Sequence, residues 1–340
     1  MRIATIGTAL AIASASMLHA QQRAAINLPA APDIAGVIKG GTRPALIATG
    51  LQGADDPIWL PGTGLVFSEP RANRVVRLAS DGTLTTFVEG LRSPLGMTLD
   101  RSGRLISLQS EDGHTSARVI WPAGKETVLA DRFRGQPFSR PNDIVSDSKG
   151  GIYFSDPGLN AAQEQELRKA RGGAPLEPRL PPSVYYVPSG GTPIRVAEGI
   201  ARPNGVQLSR DERVLYVSDT NGINALAFDI LPDGTLSNRR TFAPYAGRVA
   251  NAPAGSPASG GDGIVIDSEG RVYTITEAGI EIFTPSGQPV GIIPVSCSAT
   301  AARCQGLAFG GPDKRTLYLA GQGTLLKIQM LAQGFGGRAK

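Results

Sequence analysis

The feature that most constrains this chain is repetition. One pattern occurs six times: a usually polar residue, a short apolar run, a turn and a second apolar run. The copies are 55–69 (DDPIWLPGTGLVFSE), 95–109 (LGMTLDRSGRLISLQ), 142–156 (NDIVSDSKGGIYFSD), 204–219 (NGVQLSRDERVLYVSD), 262–276 (DGIVIDSEGRVYTIT) and 305–321 (QGLAFGGPDKRTLYLAG). Each turn carries Gly, Pro or Asp, as in Ser102-Gly103, Lys149-Gly150 and Glu269-Gly270. Such residues supply positive φ or preset turn geometry, so each copy reads as a β-hairpin. Further strand pairs fall between the copies, at 74–78 with 84–88, 184–187 with 193–197, 224–229 with 236–242 and 280–283 with 289–294. Four strands per repeat, with starts 40, 47, 62, 58 and 43 residues apart, predict an all-β fold. We expect a six-bladed β-propeller with four-stranded blades over residues 46–332.

The rest of the chain frames this core. Residues 1–20 read as an export signal: Arg2, an apolar small-residue stretch, and Leu18-His19-Ala20 before a cleavage point. They predict a periplasmic or secreted protein. The Ala/Pro-rich stretch 21–45 is expected to be a loose tail. No segment is long and apolar enough to span a bilayer. The formal net charge is +5, but there is no dense Lys/Arg run or basic helix, so a nucleic-acid partner is not expected. Cys297 and Cys304 stand close enough to form a local disulfide in an oxidising compartment, or to remain free thiols. The insertion 157–182 contains a helix-like run, 161–171, and could act as a lid.

The first residue of each copy is chemically informative. These residues are Asp55, Leu95, Asn142, Asn204, Asp262 and Gln305. Equivalent positions on the innermost strands of a propeller converge on its axis. Five of the six offer a side-chain oxygen, two are carboxylates, and no Lys or Arg stands at that position. Oxygen donors around a point suit a hard cation, Ca2+ first, with Mg2+, Mn2+ or Zn2+ as alternatives. A bland reading competes, because Asn, Asp and Gly also start strands as turn residues. A second set after the hairpins, Glu69, Gln109, Asp156, Asp219 and Glu277, reads best as anchors for backbone N–H groups.

Ser139-Arg140-Pro141-Asn142-Asp143, Gly151-Ile152-Tyr153-Phe154-Ser155-Asp156-Pro157, Arg202-Pro203-Asn204-Gly205, Gly261-Asp262-Gly263 and Ala308-Phe309-Gly310-Gly311-Pro312-Asp313 resemble, in order, the motifs of the SMP-30/gluconolactonase family. The resemblance implies a six-bladed propeller with a divalent cation held by Asp55, Asn142, Asn204 and Asp262. It implies that Arg140 holds substrate, and it makes Asp143 a candidate for substrate hydroxyls. The expected activity is opening of a lactone, most simply a sugar lactone, with Asp262 as general base and the cation polarising the carbonyl. His114 is a weaker pocket candidate. The alternatives are a phosphoesterase on the same cation site and a non-catalytic binding propeller. Three departures stand out. Asp55-Asp56-Pro57 replaces the family's Glu-Gly-Pro, Leu95 replaces an Asn, and the His of an acid-His-Gly motif is displaced to His114.

Overall fold

The structure, a computed structural model, describes residues 26, 28–111, 114–176, 179–252, 255–298 and 302–338. The signal-like segment 1–20 lies outside the described residues. Six four-stranded antiparallel sheets form a six-bladed β-propeller. The innermost strands are Asp55–Leu60, Pro94–Leu99, Ile144–Ser146, Pro203–Leu208, Ile264–Ile266 and Gly306–Gly310. Each touches the inner strands of both neighbours, which closes the ring.

Ring closure also fixes the last blade. Its outermost strand is Ala45–Ala48, contributed by the N-terminal side of the chain and paired with Thr324–Gln329. This ties the two ends of the repeat array together and covers what would be an open sheet edge.

Core side chains gather between blades. Ile58, Val66, Met97 and Leu105 fill the first junction, and Val145, Tyr153, Val206 and Leu215 the third. Residues 28–44, expected as a loose tail, pack instead: Ala31, Ile34, Val37 and Ile38 are buried against Ile282, Ile293 and Leu326 of the last two blades. Burial of these four apolar side chains, with main-chain hydrogen bonds such as Ala31 N–H to the Thr42 carbonyl at 2.7 Å, offsets part of the ordering cost of the segment.

The insertion after the third hairpin forms the helix Ala161–Ala170, started by an Asn160/Gln163 capping box. None of its residues is buried, so the apolar packing that would hold it down as a lid is not present. No helix among the described residues is long and apolar enough to cross a membrane.

The channel has two chemically different ends. At one, the hairpin turns gather with the C-terminal segment. Lys314 Nζ donates to the Phe335 carbonyl at 2.8 Å, and Arg338 donates to the Leu208 and Ser209 carbonyls while pairing with Glu212. The segment therefore bridges blades four and six across that mouth. The other end carries the first residues of the six copies.

Candidate active site

The ring residues are placed by backbone contacts between blades. Gly96 N–H donates to the Asn142 carbonyl at 2.8 Å, and Gly263 N–H to the Gln305 carbonyl at 3.0 Å. At Gly205 a Cβ would lie 2.3 Å from the Asp262 carbonyl oxygen. Glycine in Asn204-Gly205 thus serves close approach of neighbouring blades rather than a turn, which answers the bland reading of the Asn-Gly pair.

Two aspartates at the second position of their copies clip one blade to the next. Asp143 Oδ2 accepts the Val206 N–H at 2.9 Å, and its Oδ1 accepts the Ile144 N–H at 2.8 Å. Asp56 Oδ2 accepts the Met97 N–H of the second blade. Both oxygens of the residue expected to meet substrate hydroxyls, Asp143, are therefore held by main chain, and the visible role of this buried carboxylate is to lock blade three to blade four.

The second set anchors main chain as expected, with one difference. Glu69 accepts from Gln52 N–H, Gln109 from Arg92 N–H, Asp156 from Ser139 and Arg140, and Asp219 from Ala201 and Arg202. Glu277 instead pairs with the Arg303 guanidinium at 3.0 Å.

Arg303 is the functional-site residue that the repeat reading missed. Its Nη2 lies 3.1 Å from Asp262 Oδ2 while Nη1 holds Glu277. The ring position carries no cation, yet one reaches Asp262 from two residues ahead of Gln305. The signal was in the sequence: Arg303 has the same offset from Gln305 that Arg140 has from Asn142. Cys297 and Cys304 form a disulfide with Cα atoms 4.9 Å apart, and this bridge fixes the loop that presents Arg303.

Asp262 is the electrostatic centre. Burial pushes its carboxyl up to about 6, assisted by the Asp143 charge and opposed by Arg303 and by a hydrogen bond from the Asn204 side chain. Burial works against the charge of Arg303, yet Asp262 and Glu277 together hold its pKa above the usual value. Arg140 lies within the field of Asp55 and Asp262. Burial and the neighbouring Arg202 depress its pKa.

The donor set can be tested for a cation. Asn204 Nδ2 donates to Thr220 Oγ1 at 3.0 Å, whereas Asn204 Oδ1 is buried and accepts nothing from the described residues. A buried amide oxygen without a partner is costly unless an ion or water meets it. The Asn142 side chain likewise makes no hydrogen bond among the described residues. No group of three His, Cys, Asp or Glu side chains among those residues is arranged to hold a metal. An all-oxygen set of two carboxylates and two amides fits a hard cation and not a soft one. Asp55, expected in this set from its ring position, accepts the Asp56 N–H through Oδ1 at 2.8 Å. His114 opens the strand His114–Trp121, and its side chain lies outside the described residues.

A six-bladed β-propeller with a buried carboxylate, Asp262, among the interblade contacts at one end of its axis defines the class of protein. Residues 54–322 match the model of the SMP-30/gluconolactonase/LRE-like region, and the chain belongs to that family. It is 24% identical over 318 residues to a gluconolactonase of Zymomonas mobilis, covering 88% of this chain and 84% of the relative. It is 31% identical over 223 residues to lactonase drp35 of Staphylococcus haemolyticus, covering 62% of this chain and 58% of that relative. Among solved structures, a gluconolactonase from Xanthomonas campestris superposes with a TM-score of 0.72 at 24% identity, covering 90% of this chain and 98% of the other. A calcium-binding regucalcin from Agrobacterium tumefaciens superposes with a TM-score of 0.65 at 17% identity, covering 86% and 96%.

Proposed function

We propose that this protein is a cation-dependent hydrolase that opens the ester of a lactone. The observation that carries the reading is the buried Asn204 Oδ1, with no partner among the described residues, beside a carboxylate, Asp262, whose proton affinity burial has raised. The similarity to gluconolactonases and lactonases supports the substrate class, and a sugar lactone is the simplest member of it. Export is part of the same reading, supported by the signal-like segment 1–20 and by a disulfide suited to an oxidising compartment.

Asp55, Asn142, Asn204 and Asp262 would hold the cation, with Ca2+ fitting the hard oxygen set best; when bound it supplies a Lewis acid for the ester carbonyl. The remaining work falls to the chain. Asp262 takes a proton from the attacking water, whose oxygen bonds to the carbonyl carbon. The ring C–O bond then breaks, and the proton passes to the departing alkoxide, leaving a hydroxy acid. A base acts best when its pKa approaches the working pH, and burial moves Asp262 in that direction. Arg303, anchored on Glu277, steadies the Asp262 carboxylate. Arg140 orients the bound substrate.

Asp262→Asn keeps the shape and removes the base. It should lower kcat for lactone opening by roughly 100- to 10,000-fold, with an unchanged circular dichroism spectrum. Turnover at the wild-type rate by the folded variant would rule out Asp262 as the base.

A further inference from the structure

Arg140, Arg202 and Arg303 stand two residues before Asn142, Asn204 and Gln305. They occupy one phase of the sixfold repeat, a step ahead of the ring on blades three, four and six. Two are fixed through their own backbone: Arg140 N–H donates to Asp156 Oδ1 at 2.8 Å, and Arg202 N–H to Asp219 Oδ1 at 2.9 Å. Arg303 is fixed by the adjoining disulfide and by Asp262 and Glu277. On blade five this position is Gly260, at φ +70°, where a Cβ would come 2.8 Å from Glu277 Oε1 and 3.2 Å from Arg303 Cδ. The glycine leaves room for Arg303 to lie across blade five.

The three charges are not equally answered. Arg303 has two carboxylate partners. The guanidinium groups of Arg140 and Arg202 make no hydrogen bond and no ion pair among the described residues, although both side chains are partly buried. Arg140 stands in the field of Arg202, Asp55, Asp156 and Asp262, and Arg202 in that of Asp262 and Arg303. A guanidinium is a rigid fork of N–H donors matched to carboxylate and phosphate. Two such forks, partly buried and with no hydrogen-bonded partner among the described residues, suit an anionic group.

We propose that the lactone opened here carries a second, anionic group, a carboxylate or a phosphate, which Arg140 and Arg202 hold while the ester faces Asp262. The inference rests on the lactonase reading and extends it to a substrate class. Hydrolysis then converts a singly charged carboxylate-bearing lactone into an open-chain dicarboxylate.

The test compares three lactones of one ring size: uncharged, carboxylate-bearing and phosphate-bearing. Each is assayed with the wild type, Arg202→Met and Arg202→Lys. Binding of the matching open-chain acids is followed in parallel by calorimetry. The expected result is a kcat/KM for one charged lactone on the order of tenfold to a hundredfold above the uncharged one, through KM. That ratio should collapse in Arg202→Met and return in part in Arg202→Lys, with thermal melts showing all three folded. The arm with the larger ratio identifies the anion. Equal turnover of charged and uncharged lactones, or a ratio unmoved in Arg202→Met, overturns the proposal and leaves the lactonase reading standing. No turnover of any lactone, together with Arg202-dependent binding of the open-chain dicarboxylate, keeps the anion receptor and removes the lactonase reading. Absence of both overturns both.

Discussion

Asp262 is the residue on which the account turns, because two different partners compete for its carboxylate. A proton is one and a cation is the other. Burial raises its pKa from 3.8 to about 6 in the folded protein. The folded state therefore holds this proton more tightly than the unfolded chain does. Without a cation, the stability contributed by Asp262 is fully present below about pH 4 and is lost as pH rises through about 6. With a cation, the carboxylate must ionise for binding. The affinity for Ca2+, measured by calorimetry, should climb with pH up to about 6 and level off above it. An affinity that stays flat across that interval would remove Asp262 from the ligand set. Asn204 belongs to the same scale: its Nδ2 is fixed by Thr220, which leaves the buried Oδ1 as an acceptor with no partner among the described residues.

At the level of elements, the disulfide between Cys297 and Cys304 closes the loop that carries Arg303. That loop is short, and closing an eight-residue loop restricts the unfolded chain by about 2.5 kcal/mol on the chain-entropy estimate. Cys304→Ser should lower unfolding free energy by about that amount in denaturant titrations. It should also lower kcat more than it raises KM, because Arg303, which steadies the Asp262 carboxylate, loses one of its anchors while the ring strands stay in place. Unchanged kinetics in the folded variant would show that the salt bridges alone position Arg303. The elements also show what could be read from sequence. The hairpins were legible because strand alternation and Gly- or Asp-bearing turns are local signals, and the helix expected at 161–171 is found at Ala161–Ala170. The packing of 28–44 was not legible, since Ile34, Val37 and Ile38 stand at helical spacing in a stretch broken by Pro32 and Gly36 that forms no helix, and they gain their burial from blades more than 200 residues away in the sequence. The Asp262–Arg303–Glu277 bridge was hidden for a similar reason: it joins two blades through side chains whose meeting depends on ring closure. The offset shared by Arg140, Arg202 and Arg303 was visible in the letters. It acquires meaning once the repeat is closed into a ring.

The whole molecule converts a one-dimensional repeat into a radial arrangement. Equivalent residues separated by 40 to 62 positions become neighbours because each blade presents the start of its inner strand to the same end of the axis. Interblade clips such as Asp143 to Val206 N–H and Asp56 to Met97 N–H fix the spacing of that ring. The strand Ala45–Ala48 closes it, and the C-terminal segment bridges the opposite mouth. The ring of oxygen donors and the tier of arginines are therefore properties of closure, and no single blade contains either. The most direct test of the central claim is turnover of a lactone panel by cation-stripped protein before and after adding back Ca2+, Mg2+, Mn2+ or Zn2+. The account predicts ring opening that is lost on stripping and restored by a hard cation, Ca2+ foremost. Hydrolysis that persists undiminished in the stripped protein, or no hydrolysis under any of these conditions, would contradict it.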